Sequence, residues 1–199
     1  GIVKVDATVT TNGGSVANNI YGAGSMGKVG GNTSVTINTN GSVGVDGTND
    51  DGNVYGAARG ELNLDGAYDY SSVTNSSVTI TKGTIKGNVF GGGKAGPVKG
   101  AVSVTLNGGT VQHDVYGGGA LAQTNTEYDA TDHPTYTTTV NLGNSTTGTT
   151  ITGNLYGGGL GRLDAYTAVA NGKTLTSGNT YYTSDAGEGA FISGGTEVA

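Results

Sequence analysis

Val102 to Gly119 reads VSVTLNGGTVQHDVYGGG, and one structural unit is legible within it. Val102, Val104 and Leu106 alternate with Ser103 and Thr105, the period of two expected of a strand with one buried face. Val and Thr suit an extended pleat because both branch at the β-carbon. Asn107-Gly108-Gly109 then reads as a tight turn, since Asn and Gly tolerate the positive φ such turns need. A short strand, Thr110-Val111, resumes before a corner. The unit closes on an aliphatic-aromatic-glycine segment, Val115-Tyr116-Gly117.

Working outward, the closing segment recurs as IYGAG from Ile20, VYGAA from Val54, VFGGG from Val89, VYGGG from Val115 and LYGGG from Leu155. Successive copies are 34, 35, 26 and 40 residues apart, in the range of stacked repeats. The strand-turn-strand stretch precedes each copy, as in ATVTTNGGSV, SVTITKGTI and SVTLNGGTV. No stretch has the apolar spacing and caps of a helix. Core positions match between units better than within them, so each strand is expected to pair with its counterpart in the next unit. That pairing predicts an all-β, right-handed parallel β-helix (β-solenoid) of about five coils with protruding loops. Three inward ladders are expected: Val78, Val102 and Val140; Ile85, Val111 and Ile151; and Ile20, Val54, Val89, Val115 and Leu155. Residues 1–199 read as a single segment. Regular coils cover about 7–159, and 160–199 form a less regular terminal coil or the start of another unit.

The composition agrees. Gly accounts for 40 of 199 residues, far from the one-third in strict triplets of collagen. Leu, Ile, Val and Phe sum to about 19%, too few for a thick core but enough for one a single side chain deep. Only 12% of residues are charged and the net charge is −6, which argues against both disorder and a nucleic-acid partner. With no Cys, disulfides, thiolate metal sites and cysteine nucleophiles are excluded. No run of apolar residues reaches the length of a membrane span. The first residues lack a Met and a leader pattern, so the chain reads as a mature or excised segment.

The VTLNGGTV and VYGGG segments, covering most of Ala7 to Gly159, resemble the repeats of large bacterial surface adhesins and autotransporter passenger regions. The resemblance implies an extracellular or cell-surface β-helix whose loops touch host or neighbouring cells, and it carries over no catalytic residue. The expected function is a non-catalytic structural or adhesive segment of a cell-surface or extracellular fibre protein, able to stack head to tail. Its expected partners are a protein or glycan on another cell surface, or copies of itself. A carbohydrate-binding or polysaccharide-degrading β-helix of tailspike type is the alternative. An ice-binding solenoid is a further one, although Ser, Lys and insertions are expected to break the Thr array it needs.

Two candidate features follow. The anchor aromatics Tyr21, Tyr55, Phe90, Tyr116 and Tyr156 should form a ladder, which either shields a corner from water or, by strict alternation, faces out as a stripe for sugar rings or a protein. The two long insertions after anchors are acidic and Tyr-rich. One holds Asp65, Tyr68, Asp69 and Tyr70; the other holds Glu127, Tyr128, Asp129, Asp132, His133 and Tyr136. They occupy the same place in the repeat and are the expected binding loops. Asp129 and Asp132 have the composition of a glycosidase pair but lack basic companions. Asp46, Thr48 and Asp50 are spaced like the first ligands of a calcium loop, yet Asp51 stands where Gly belongs and no Glu closes the site. An Asx turn accounts for the same residues, and no cofactor is expected. GGGKAG, from Gly91, lacks the ending and the following helix of a phosphate loop.

Overall fold

A computed structural model describes residues 1–45, 51–60, 70–143, 148–161, and three strands at 168–170, 173–175 and 196–198. In chain order the strands are β1 (Ala7–Thr11), β2 (Ile20–Tyr21), β3 (Thr33–Val43), β4 (Val54–Tyr55), β5 (Ser76–Ile85), β6 (Val89–Phe90), β7 (Val102–Leu106) and β8 (Thr110–Val111). They continue as β9 (Val115–Tyr116), β10 (Thr138–Leu142), β11 (Thr150–Ile151), β12 (Leu155–Tyr156), β13 (Ala168–Ala170), β14 (Lys173–Leu175) and β15 (Thr196–Val198). The described part is nearly all β; only Tyr70 and Ser71 carry helical backbone.

Two large sheets are parallel throughout. The first runs β1-β3-β5-β7-β10-β15, with β8 joining the end of β5 to β11; the second runs β2-β4-β6-β9-β12. Neighbours in each sheet are the same segment of successive repeats. β13 and β14 form a separate antiparallel pair.

Burial follows the pleat. β5 and β7 alternate buried and half-buried positions along SSVTI and VSVTL, because a parallel strand shows successive side chains to opposite faces. Inside the first sheet, Val9, Val35, Val78, Val104 and Val140 are mutually in register, and Ile37, Ile80 and Leu106 form the next row. The first expected ladder is therefore corrected by two residues: Val104, not Val102, lies between Val78 and Val140. Val102 sits opposite Ser76 and Thr138. Period-2 alternation cannot distinguish a slip of two, because both registers bury the same face. The Ile85, Val111, Ile151 row and the Ile20, Val54, Val89, Val115, Leu155 row pair as expected, and Val43 extends the first of them.

These rows make one aliphatic cluster in which Val54, Val78, Ile80, Val89, Val104 and Val115 are buried. Each such side chain contributes roughly 1.5–3 kcal/mol on burial. In the row containing Val102, which begins at Ala7, the hydroxyls of Thr33, Ser76 and Thr138 are satisfied. Ser76 Oγ donates to the Gly91 carbonyl at 2.6 Å, and Thr138 Oγ1 donates to Asn125 Oδ1 at 2.8 Å. The turn after the first strand has the expected left-handed glycine, φ 115° at Gly83 and 81° at Gly109.

The glycine after each aromatic has a different reason. Its φ lies outside the left-handed region, but a Cβ on Gly91 would collide with the Gly117 carbonyl oxygen and crowd Val102 and Val104. Gly22, Gly56 and Gly117 meet the next unit's carbonyl in the same way. Close approach of stacked backbones, not a bend, excludes a side chain there. Gly91→Ala is expected to destabilise the fold by about 1–3 kcal/mol, as overpacking does, read as a lowered thermal midpoint. Gly13→Ala, whose Cβ meets nothing within 4 Å, is the neutral control.

Candidate functional site

The anchor aromatics stand on adjacent short strands of the second sheet, so parallel register stacks their rings. Centroids are 4.8 Å apart from Tyr21 to Tyr55 and 4.9 Å at each of the following steps to Phe90, Tyr116 and Tyr156. Interplanar angles grow from 3° to 14° along the column. These separations are within the range of offset-stacked aromatic pairs. Each interior ring is covered on both faces by its neighbours, and Ala120 packs on the column. Tyr55, Phe90 and Tyr116 are consequently buried, Tyr21 is half-buried, and Tyr156 is 43% exposed. Of the two orientations open to the ladder, the rings take the shielding one: aliphatic and aromatic are both buried in β4, β6 and β9, and accessible ring surface lies at the two ends, Tyr156 and the half-buried Tyr21.

Immediately before each aliphatic anchor stands a side-chain amide or carboxylate: Asn19, Asn53, Asn88, Asp114 and Asn154. They form a polar ladder parallel to the rings. Asn19 Oδ1 accepts the Asn53 backbone N–H at 2.8 Å, Asn53 Oδ1 accepts that of Asn88 at 2.8 Å, and Asn88 Oδ1 accepts that of Asp114 at 3.0 Å. Asp114 Oδ1 accepts the Asn154 backbone N–H at 2.7 Å and its side-chain N–H at 3.1 Å. An amide carries donor and acceptor together, so it can receive from one unit and give to the other. Asn88 does so, its Nδ2 donating to Asn53 Oδ1 at 3.0 Å. Asp114 has no side-chain donor to pass on. Its second oxygen instead accepts the Tyr116 hydroxyl at 3.1 Å, joining the polar and aromatic columns. Sequence reasoning missed this ladder, although Asn or Asp at one repeat position in five copies was its signal.

A shorter polar column stands immediately before the long strands β1, β3 and β5. Asp6 Oδ1 accepts the Asn32 N–H, Asn32 Oδ1 accepts Asn75 Nδ2, and Asn75 Oδ1 accepts the Ala101 N–H, each at 2.7 Å. Asn125, with φ 58°, continues it by donating to the Gly100 carbonyl at 2.7 Å.

The insertion from Ala120 to Tyr136 has two parts. Ala120 to Asn125 is built into the stack: Ala122, Thr124 and Asn125 are buried. The rest is exposed except for the half-buried Tyr136; its first residues are held to Val98 and Lys99, and the remainder is internally tied. Asp129 Oδ1 accepts the backbone N–H groups of Thr131 and Asp132 at 2.7 and 2.9 Å. His133 and Tyr136 stack with centroids 4.5 Å apart and planes 2° from parallel. Glu127 pairs with Lys99 at 2.6 Å, and Tyr128 is 37% exposed. The two backbone hydrogen bonds hold the Asp129 carboxyl below its ordinary acidity range, opposite to the direction a general acid requires. Asp132 stays beside it on the same exposed turn.

Of the other insertion, Tyr70 is 65% exposed; Asp65, Tyr68 and Asp69 lie outside the described residues, as do Asp46, Thr48 and Asp50. Among the described residues no three His, Cys, Asp or Glu side chains converge as metal ligands, and no helix is long and apolar enough to cross a membrane. In GGGKAG, the N–H groups of Gly91, Gly92, Lys94 and Ala95 all donate to carbonyls of neighbouring units, which removes them from any phosphate cradle. No protein-family model matches the chain, and no match is found among curated proteins or solved structures.

Two expected outcomes test these columns. Burial raises the Asp114 pKa, but the N–H groups of Asn154 and the Tyr116 hydroxyl outweigh it, so the value falls below the ordinary 3.8. The fold thus favours the ionised form. Its contribution is complete above the ordinary Asp range and is lost as pH falls through that range towards the folded value. Asp114→Asn should flatten the acid limb of thermal stability below about pH 4, seen by circular dichroism melts from pH 7 to 3. Phe90→Ala, which opens the ring column at its centre, should cost about 3–5 kcal/mol in denaturant unfolding.

Proposed function

We propose that the chain is a right-handed parallel β-solenoid serving as a non-catalytic structural and adhesive segment of a bacterial cell-surface or extracellular fibre protein. The observation that carries this reading is the stacking of like on like across five successive repeats: aliphatic rows, a ring column and two polar columns, all in parallel register. Such a stack is a stiff, extended scaffold, and insertions of different length leave it without disturbing register. The exposed turn from Glu127 to Tyr136, with its flat His133–Tyr136 pair and acidic groups, is the surface offered to a protein or glycan on another cell. Copies of the chain meet through the edges of their sheets.

Glycan-array and cell-binding measurements with the purified chain test the adhesive role. Binding is expected to fall at least about tenfold when Tyr128 and Asp132 are changed together to Ala, with the melting temperature unchanged because both are exposed outside the stack. Release of reducing sugar from a bound polysaccharide would replace this role with the degrading alternative. A chain that sediments as a single monomer at high concentration would remove the head-to-tail contact.

One observation favours a second reading. The outward positions of the first sheet form two uninterrupted columns, Thr8–Ser34–Ser77–Ser103–Thr139 and Thr10–Thr36–Thr79–Thr105–Asn141. The insertions that appear to break this array in the sequence leave it in register. From β1 to β10 the result is an uncharged lattice with a spacing of about 4.8 Å between strands and about 7 Å along them, a surface suited to ordered water; Glu197 on β15 is the next residue in the first column. Ice recrystallisation inhibition is the expected activity under that reading, and its absence removes it.

A further inference from the structure

Asn-Gly is the dipeptide least hindered towards attack of a backbone nitrogen on the preceding side-chain amide, because glycine offers no Cβ. Three such pairs lie among the described residues, all near the turn that follows the first strand of a unit: Asn12–Gly13, Asn40–Gly41 and Asn107–Gly108. Their surroundings differ sharply. The Gly41 N–H donates to Thr39 Oγ1 at 3.0 Å, and the space beside its Cα is filled by the Gly14 carbonyl and Ser15 Oγ. Gly108 is buried, and the Asn107 backbone N–H is held by the Ile80 carbonyl at 2.8 Å. Asn12 and Gly13 are both exposed, nothing lies within 4 Å of a Cβ on Gly13, and the Gly13 N–H makes no hydrogen bond among the described residues.

We propose that Asn12 is a site of spontaneous deamidation, with water as the co-reactant. The Gly13 nitrogen bonds to Asn12 Cγ; the Cγ–Nδ2 bond breaks, and the NH2 group leaves as ammonia with the Gly13 proton. Water then opens the succinimide at either of its carbonyl–nitrogen bonds, adding hydroxyl to carbon and hydrogen to nitrogen. The products are aspartate or isoaspartate, the latter lengthening the main chain by one methylene. The affected turn carries the Gly14 carbonyl that accepts Thr39 Oγ1 at 2.7 Å and leads into Val16, whose N–H donates to the Ser42 carbonyl at 2.9 Å. Isoaspartate at this position loosens the first repeat from the second and adds a negative charge to the edge of the stack.

The test is incubation of the intact chain in mildly alkaline buffer, followed by peptide mapping with mass spectrometry and an isoaspartate assay. Asn12 is expected to convert at least about tenfold faster than Asn40 or Asn107, the ratio that a local opening cost of about 1.4 kcal/mol at the protected sites imposes. Gly13→Ala, whose new methyl meets open space and leaves the fold intact, should slow conversion at position 12 by about tenfold through hindrance at the attacking nitrogen. Conversion of Asn40 or Asn107 at the rate of Asn12, or an unchanged rate in the Gly13→Ala variant, overturns the proposal.

Discussion

Parallel register between successive repeats is the constraint on which everything else rests. Hydrogen-bonded strands sit about 4.8 Å apart, so any residue type repeated at one position becomes a column with that spacing. The ring column shows the spacing directly, at 4.8 to 4.9 Å between centroids. Glycine follows from the same distance: at Gly22, Gly56, Gly91 and Gly117 the carbonyl of the next unit occupies the place of a Cβ. A repeat that places Val over Val, Tyr over Phe and Gly over Gly therefore meets a steric and a hydrophobic requirement together.

Columns of polar side chains obey a further rule. Asn can stack on Asn without limit because each side chain both accepts and donates. Asp is tolerated where its oxygens receive hydrogen bonds and no side-chain donor is needed from it. Asp114 meets that condition by accepting from Asn154 and from the Tyr116 hydroxyl. Asp6 meets it at the start of the second column, where it accepts from Asn32. Burial raises the Tyr116 phenol above its ordinary value, and its hydrogen bond to the ionised Asp114 raises it further. Polar columns also protect the corners, where backbone N–H groups would otherwise be left without strand partners.

The stack and the insertions divide their roles physically. Ala120 to Asn125 is absorbed into the core, and the Asn125 side chain is spent on Gly100 and Thr138, while the buried Thr124 hydroxyl has no partner among the described residues. Glu127 is still held to Lys99 by its N–H and its carboxylate; from Tyr128 onward the chain leaves the stack and is stabilised by its own turn, through Asp129 and the His133–Tyr136 pair. Variation there has no effect on register, which makes the exposed turn the natural place for recognition in the proposed adhesive scaffold. The outward hydroxyl columns, by contrast, are a property of the stack itself.

Strand content, parallel pairing of like segments and two of three inward rows were legible in the sequence, because alternation in SVTIT and VSVTL and the five aromatic-glycine segments each record one repeated environment. The alignment of Val104 between Val78 and Val140 was not, since a two-residue slip preserves which face is buried. The ring ladder was legible, but not which way it faces: alternation places Tyr116 opposite Val115, and stacking with Phe90 and Tyr156, plus cover from Ala120, turns that opposite side into a second interior. The Asn-Asp column was written in plain sight but acquires meaning only when residues 26 to 40 positions apart come within hydrogen-bond distance. Local chemistry, through β-branching, turn glycines and repetition, determined by itself that this chain forms strands and repeats them. Which residues then touch was decided only by the tertiary structure, because contact between units depends on register across long insertions that no local preference specifies.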